Sequence, residues 1–221
     1  MATEEVYSLP VQKAARWISD LANPLFIPPF TFIFIGLLND VSGVELWWLV
    51  GLSLLFYTAF PLLSALLMLR NGNIESLDLP NRRSRNKLYL LGIASSTIGS
   101  LILGIFFYLH RPFLTLVSAV FFINPVIGYL LNRKWKVSIH SASVASGGII
   151  LLTYYNWNMG MYQYPALVFS LLMLLILLPV MMWSRYHLKI HSIPELVGGA
   201  TAGIFFTTLE IMIMFYFWNS L

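Results

Sequence analysis

Two short polar segments of this chain carry residue types that can do chemistry, and the richer one runs from Ser184 to Glu195. Arg185 is followed six residues later by His191, and His191 is followed four residues later by Glu195. Pro194 and Glu195 are typical of a first helical turn, because proline is favoured there and an acid complements the helix dipole. If that helix begins early enough, Glu195 can bind one ring nitrogen of His191 and leave the other as a nucleophile or base. The alternative is an interfacial histidine beside a capping acid.

The second polar segment contains Ser138 and His140, directly before another predicted helix. The Ser138 hydroxyl can cap that helix, which would explain the serine without any function. Capping does not explain His140, which is expected on the same side of the protein as His191. The two segments together therefore predict one site that holds two imidazoles beside several arginines.

The composition indicates that the elements positioning these segments lie in a lipid environment. Of 221 residues, 58% are hydrophobic and 10% are charged, against about 25% charged in a typical soluble domain. Cysteine is absent, which excludes disulfides, thiolate catalysis and cysteine-based zinc sites. The net charge of +4 is small and scattered, so no nucleic-acid partner is predicted. We expect an all-α, polytopic transmembrane helical bundle.

Seven apolar runs are candidate membrane segments, at 22–38, 46–69, 88–109, 113–131, 141–155, 165–183 and 196–218. The first is short and contains three prolines, so it either spans the membrane or dips into it. The residues just before it predict a short amphipathic helix, which makes 1–21 an interfacial segment. Residues 1–221 are expected to form a single integral membrane domain. Glu210 lies inside the last run and is expected to pair with a Ser, Thr or Tyr of a neighbouring helix.

Basic residues concentrate on one side of the predicted bundle. Successive loops alternate sides, so the loops at 70–87, 132–140 and 184–195 share one face. These loops contain ten of the 13 Lys and Arg residues, whereas only Arg111 lies on the opposite face. The positive-inside rule explains such a bias and places this face in the cytoplasm. A basic site for an anionic group is the alternative explanation.

The longer polar segment resembles the third motif of the type 2 phosphatidic acid phosphatase superfamily, Ser-Arg-x5-His-x3-Asp. Ser184, Arg185 and His191 match that motif, and Glu195 stands in place of its aspartate. The order of the apolar runs is similar to the six-helix core of the family, with one extra leading segment. The resemblance covers about residues 46–219 and implies the family's membrane fold for that region.

The shorter segment resembles the second motif, Pro-Ser-Gly-His, at Ser138 and His140, with a valine for the proline and an isoleucine for the glycine. The first motif, Lys-x6-Arg-Pro, is absent from the chain. Its cations are therefore expected from other places. Lys136 lies just before Ser138, and Arg82 and Arg85 are three residues apart, which puts them on one face if they open a helix.

The resemblance implies a role for each of these residues. His191 would attack phosphorus and form a phosphohistidine, Glu195 would orient His191, and His140 would protonate the leaving group and then activate water. The phosphate would be held by the remaining site residues, which are Arg185, Ser138, Lys136, Arg82 and Arg85. No metal ion and no cofactor is expected.

The function implied is that of a membrane lipid phosphatase. Its substrate would be a lipid phosphomonoester or an isoprenoid phosphate or diphosphate, and its partners would be that substrate and membrane lipids. Two alternatives stay open, a non-catalytic binder or transporter of an anionic lipid and a lipid phosphotransferase. The expected location is the cell membrane, as a multi-pass protein with a cytoplasm-facing site, because the charge bias remains after the residues assigned to phosphate are removed.

Overall fold

The computed structural model describes residues 10–74, 82–109, 111–158 and 163–218, with only the backbone described at 82–85, 158 and 218. Throughout these ranges the regular structure is helical, which confirms the predicted all-α class. There are eight helices, named here α1 (Pro10–Leu21), α2 (Ile27–Leu38), α3 (Gly43–Arg70), α4 (Arg82–Phe107), α5 (Pro112–Lys134), α6 (Ile139–Asn158), α7 (Tyr164–His187) and α8 (Ile193–Trp218).

Five of the described helices, α3, α4, α5, α7 and α8, are long and apolar enough to cross a membrane. Their outer surfaces are apolar, and Ile105, Leu175 and Met212 are each more than 60% exposed. Several small polar side chains lie inside instead, among them Ser100, which donates to the Ser118 carbonyl at 2.7 Å. This arrangement suits a lipid solvent, because apolar side chains face outward and polar groups find partners inside.

Helices α6 and α8 run parallel and in close contact along their whole lengths. A Cβ on Gly199 would collide with the Ser138 carbonyl, and a Cβ on Gly203 would collide with the Ala142 carbonyl, so glycine is required at both positions. At the far end the Phe215 ring centroid lies 3.9 Å from that of Trp157. Because the two helices begin at the same end, the segments preceding them meet there, and this end is called the site end below.

The run at 22–38 crosses the bundle as a bend followed by a short helix. Its bend is held at mid-depth, where Thr58 of α3 donates to the Leu25 carbonyl at 2.6 Å. Helix α2 has 12 residues and is therefore about 18 Å long, short of the roughly 30 Å hydrocarbon core. It ends opposite the site end, because α3 begins there with Glu45, whose carboxylate lies 3.9 Å from Arg111.

Helices α3 and α7 are each interrupted by a π-helical turn just before a proline. The turn in α3 spans Leu55–Ala59 and precedes Pro61, and the turn in α7 spans Leu172–Leu177 and precedes Pro179. In α3 the turn exposes the Phe56 carbonyl, which accepts a hydrogen bond from Ser95 of α4 at 2.6 Å. The widened turn therefore serves as a polar contact between helices.

Glu210 does not form the pairing expected of it. It lies on α8 with 7% of its surface exposed, and neither carboxyl oxygen has a hydrogen-bond partner among the described residues. Thr207, one turn earlier, instead joins Asn124 and Ser146, at 3.0 Å from the Asn124 amide and 2.9 Å from the Ser146 hydroxyl. The hydroxyls of Thr207 and Ser146 thus bond to each other and to Asn124, and Glu210 does not take part in this hydrogen-bond network.

Candidate active site at the start of α8

Glu195 is the third residue of α8 and holds both the helix start and His191. The Ser192 backbone N–H donates to Glu195 Oε2 at 3.2 Å, which is one half of a capping box. His191 Nδ1 lies 3.0 Å from the same oxygen. His191 is 6% exposed, so its ring is held in one orientation by packing as well as by the acid. When Nδ1 carries the proton and donates it to Glu195, the lone pair lies on Nε2.

The turn that carries His191 is shaped by the end of α7. Lys189 has a backbone φ of +55°, its N–H donates to the Tyr186 carbonyl at 2.9 Å, and the Ile190 N–H donates to the Arg185 carbonyl at 3.1 Å. This pattern is a Schellman motif with Lys189 at the left-handed position, where glycine is usual. A residue with a Cβ costs about 1–2 kcal/mol there. The motif ends α7 sharply and turns the chain back into α8 within five residues.

A cavity of about 570 Å³ opens at this turn. Its wall includes Lys136, His187, Lys189, His191 and Glu195. With both histidines neutral, the charged side chains on this wall are therefore two lysines and one carboxylate. The surplus of positive charge and the N–H groups at the start of α8 make the cavity suitable for an anion such as phosphate.

Lys136 connects the loop before α6 to this turn. Its Nζ donates to the Ile190 carbonyl at 3.0 Å and lies 4.0 Å from Glu195 Oε2. A further bond joins the same two segments, from the Ser138 N–H to the Glu195 carbonyl at 3.0 Å. The structure thus brings together Lys136, His191 and Glu195, which were predicted as site residues from distant parts of the sequence.

Two other predicted residues, Ser138 and His140, are not among the residues that line this cavity. Ser138 is fully buried, and its Oγ accepts a hydrogen bond from the Ser141 N–H at 3.3 Å, which is the capping role considered from the sequence. His140 is half-buried in the first turn of α6. It starts the helix that is parallel to the helix of Glu195, so it lies at the same end of the bundle as His191.

Arg185 is bound by α1. It is 3% exposed, and its Nη1 donates to Ser19 Oγ at 2.8 Å. Ser184 beside it donates to the Ala15 carbonyl at 2.6 Å. Helix α1 is amphipathic as predicted, since Ala15 and Ser19 are buried against α7 while Trp17 is 69% exposed. Arg185 is not on the wall of the cavity in this arrangement, and the structure connects it to His191 through its backbone carbonyl, which accepts the His191 N–H at 3.4 Å.

The predictions for Arg82 and Arg85 fall outside the described side chains. The backbone of both residues belongs to the first turn of α4, so they do open a helix. Helix α4 begins at the site end, because Asn86 lies 2.9 Å from Asn132 near the end of α5. Their part in binding phosphate stays a prediction.

Two features of the site were missed from the sequence. The spacing Ser192-x-x-Glu195 is the signature of a capping box, and it would have fixed the start of α8 at Ile193. Lys189 lines the cavity, yet no sequence pattern marks a lysine that adopts a left-handed backbone. Within the described ranges, no three His, Asp or Glu side chains are grouped closely enough to hold a metal ion.

Comparison with known proteins identifies a family for this chain. The family model of the PAP2 superfamily matches residues 87–219, which is more than half of the chain and includes both polar segments. No curated protein and no solved structure matches the chain. The match includes most of α4, extends through α5, α6, α7 and α8, and covers every residue that lines the cavity. The chain therefore belongs to the PAP2 superfamily, a phosphatase-type family with a helical membrane fold.

Proposed function

We propose that this protein is a membrane-embedded lipid phosphatase that uses His191 as its nucleophile. The observation that carries the proposal is the contact of His191 Nδ1 with Glu195 Oε2 at 3.0 Å on the wall of a basic cavity. A half-buried carboxylate on Nδ1 holds the lone pair on Nε2 and stabilises the charge that develops on the ring during attack. The substrate is a lipid phosphomonoester or an isoprenoid phosphate or diphosphate.

The reaction proceeds in two displacements at phosphorus. His191 Nε2 attacks in line, the N–P bond forms, and the P–O bond to the leaving group breaks while His140 gives that oxygen a proton. Water then attacks the phosphohistidine, His140 takes a proton from the water, and inorganic phosphate leaves His191 regenerated. Phosphoryl transfer depends mostly on positioning and charge stabilisation, which are the properties this cavity supplies.

Lys136 is a cation beside the reacting pair. Its Nζ is 4.0 Å from Glu195 Oε2 and faces the cavity, so it can bind a phosphate oxygen and offset the charge of the acid. Arg185 is a planar cation with five N–H donors, and its Nη1 donates to Ser19. Its role as a phosphate ligand, like that of Arg82, Arg85 and Ser138, remains part of the proposal.

A lipid substrate is supported by the position of the cavity at the end of apolar helices. Helix α7, whose end forms one wall, is apolar and exposed along its length, with Leu175 68% and Ile176 56% exposed. An acyl or isoprenoid chain can lie against such a surface while the phosphate enters the cavity. The same surface also suits a binder of anionic lipid or a lipid phosphotransferase, so chemistry has to be measured directly.

The test is release of inorganic phosphate from a panel of lipid phosphates and diphosphates by the purified protein in lipid nanodiscs, with chelator present. We expect turnover of at least one lipid, and its loss in His191→Gln at an unchanged thermal midpoint. Binding of the lipid without release would favour the binder. Release that occurs only when an alcohol acceptor is added would favour the phosphotransferase.

A further inference from the structure

Lys189 occupies a backbone position that is unfavourable for lysine. Among the described residues, only Asp40 and Lys189 combine a side chain with a positive φ, and both have φ of +55°. At Lys189 the position is the left-handed residue of the helix end, whose bonds to Tyr186 and Arg185 are made by backbone atoms alone. Glycine or asparagine would make the same backbone bonds with less strain.

Local stability does not account for the lysine. Among the described residues its ammonium makes no ion pair and no hydrogen bond, and its side chain is exposed to the cavity. A cation does favour the end of a helix, but that benefit is available from any position in the last turn, where Arg185 and His187 already lie. Strain that the surroundings do not require is an indication of function.

Lys189 is also the lysine on the cavity wall whose positive charge is not balanced by a described neighbouring acid. Lys136 is close to Glu195, at 4.0 Å, and donates to the Ile190 carbonyl. Lys189 has no acid beside it in the described structure, although it lies on the same wall two residues before His191. An anion that enters the cavity therefore meets two lysines. Lys136 is already close to Glu195, whereas Lys189 has no described acid beside it.

We propose that Lys189 is a second phosphate-binding residue, which with Lys136 supplies the cations that the absent first motif would otherwise provide. The proposal rests on the proposed function, since the anion it names is the phosphate of the lipid substrate. It explains why a strained backbone position keeps a long cationic side chain. It also predicts that stability and substrate binding respond in opposite directions when Lys189 is replaced.

The test compares Lys189→Gly, Lys189→Asn and Lys189→Arg with the wild type in nanodiscs. Lys189→Gly and Lys189→Asn should raise KM for the lipid phosphate by about 10- to 100-fold, the range produced by losing one hydrogen bond to a charged group. Their thermal midpoint should be equal or higher, by about 2–8 °C for Lys189→Gly, because strain is relieved. Lys189→Arg should keep KM near the wild-type value. Lys87→Asn, at an exposed lysine outside the cavity, is the matched control and should change KM less than 2-fold.

Failure of this proposal can be told apart from failure of the proposed function. An active wild type whose KM is unchanged in Lys189→Gly and Lys189→Asn would overturn the role of Lys189 and leave the phosphatase standing. If the wild type releases no phosphate, binding of inorganic phosphate followed by ³¹P NMR replaces KM. Weaker phosphate binding in Lys189→Gly and Lys189→Asn, with binding retained in Lys189→Arg, would still support the role of Lys189. Equal binding in all variants would overturn that role.

Discussion

Glu195→Gln separates the two roles that Glu195 has at the start of α8. A glutamine keeps an oxygen that can accept the Ser192 N–H, and glutamine is found at this place in capping boxes. It cannot keep the charge. In the wild type, His191 Nδ1 lies 3.0 Å from Glu195 Oε2. In the variant, if the glutamine oxygen stays bonded to the Ser192 N–H, the glutamine N–H₂ group is the one that faces His191 Nδ1. That contact favours the proton on Nε2, which is the wrong tautomer for attack on phosphorus.

The expected loss of stability is small and the expected loss of activity is large. The partly exposed contact with Lys136 contributes at most about 1 kcal/mol, and an acid in the first helical turn contributes about 0.3–1 kcal/mol. Together they amount to at most about 2 kcal/mol, which corresponds to a thermal midpoint lower by at most about 4–8 °C. Loss of the correct tautomer and of charge stabilisation should lower kcat by about 10²–10⁴-fold.

Phosphate release and thermal unfolding in nanodiscs measure the two effects in the same preparation. Glu45→Gln is a matched control, because Glu45 is also an acid in a first helical turn, 3.9 Å from a cation, Arg111, at the opposite end of the bundle. It should lose similar stability and keep its activity. A Glu195→Gln protein with kcat within 3-fold of the wild type would refute the catalytic role of the carboxylate.

Three further predictions concern other parts of the molecule. Ser19→Ala removes the described partner of Arg185 Nη1 on α1, so we expect a lower thermal midpoint and faster amide hydrogen exchange at the turn before α8, both restored in Ser19→Thr. Glu210→Gln should keep full activity and a thermal midpoint within about 3 °C in unfolding scans, because neither carboxyl oxygen has a described partner to lose; a loss of turnover would instead assign this acid a role. Because the chain has no cysteine, single cysteines introduced at exposed positions report its orientation in the membrane. If the site faces the cytoplasm, an impermeant maleimide added to intact cells should label Ser42→Cys and spare Asn71→Cys. The reverse labelling pattern would place the site outside.

Much of the architecture could be predicted because lipid burial makes a strong pattern. Apolar runs and short polar loops predict the order of the helices, and five of the seven predicted runs correspond to described helices that are long and apolar enough to cross a membrane. The sequence did not decide whether the first run, 22–38, spans the membrane or only dips into it, and the reason is physical. Its helix of 12 residues is too short to span the hydrocarbon core alone, and the bend before it is bonded to Thr58 inside the bundle.

The site was less completely predictable. The contact of His191 with Glu195 follows from a spacing of four residues at a helix start. The contact of Lys136 with the same acid depends on close packing between α6 and α8, and that packing depends on Gly199, whose effect is tertiary. The partner of Arg185 lies 166 residues away on α1, and no local pattern connects them.

The most direct test of the central claim is to trap the covalent intermediate. The protein is mixed with a lipid phosphate substrate, quenched in alkali, in which phosphohistidine is stable, and digested for mass spectrometry. The account predicts one phosphorylated histidine, at His191, which is absent in His191→Gln and accumulates in His140→Ala because attack by water is slowed. Turnover without any phosphohistidine, or phosphate found on His140 or His187 instead, would contradict it.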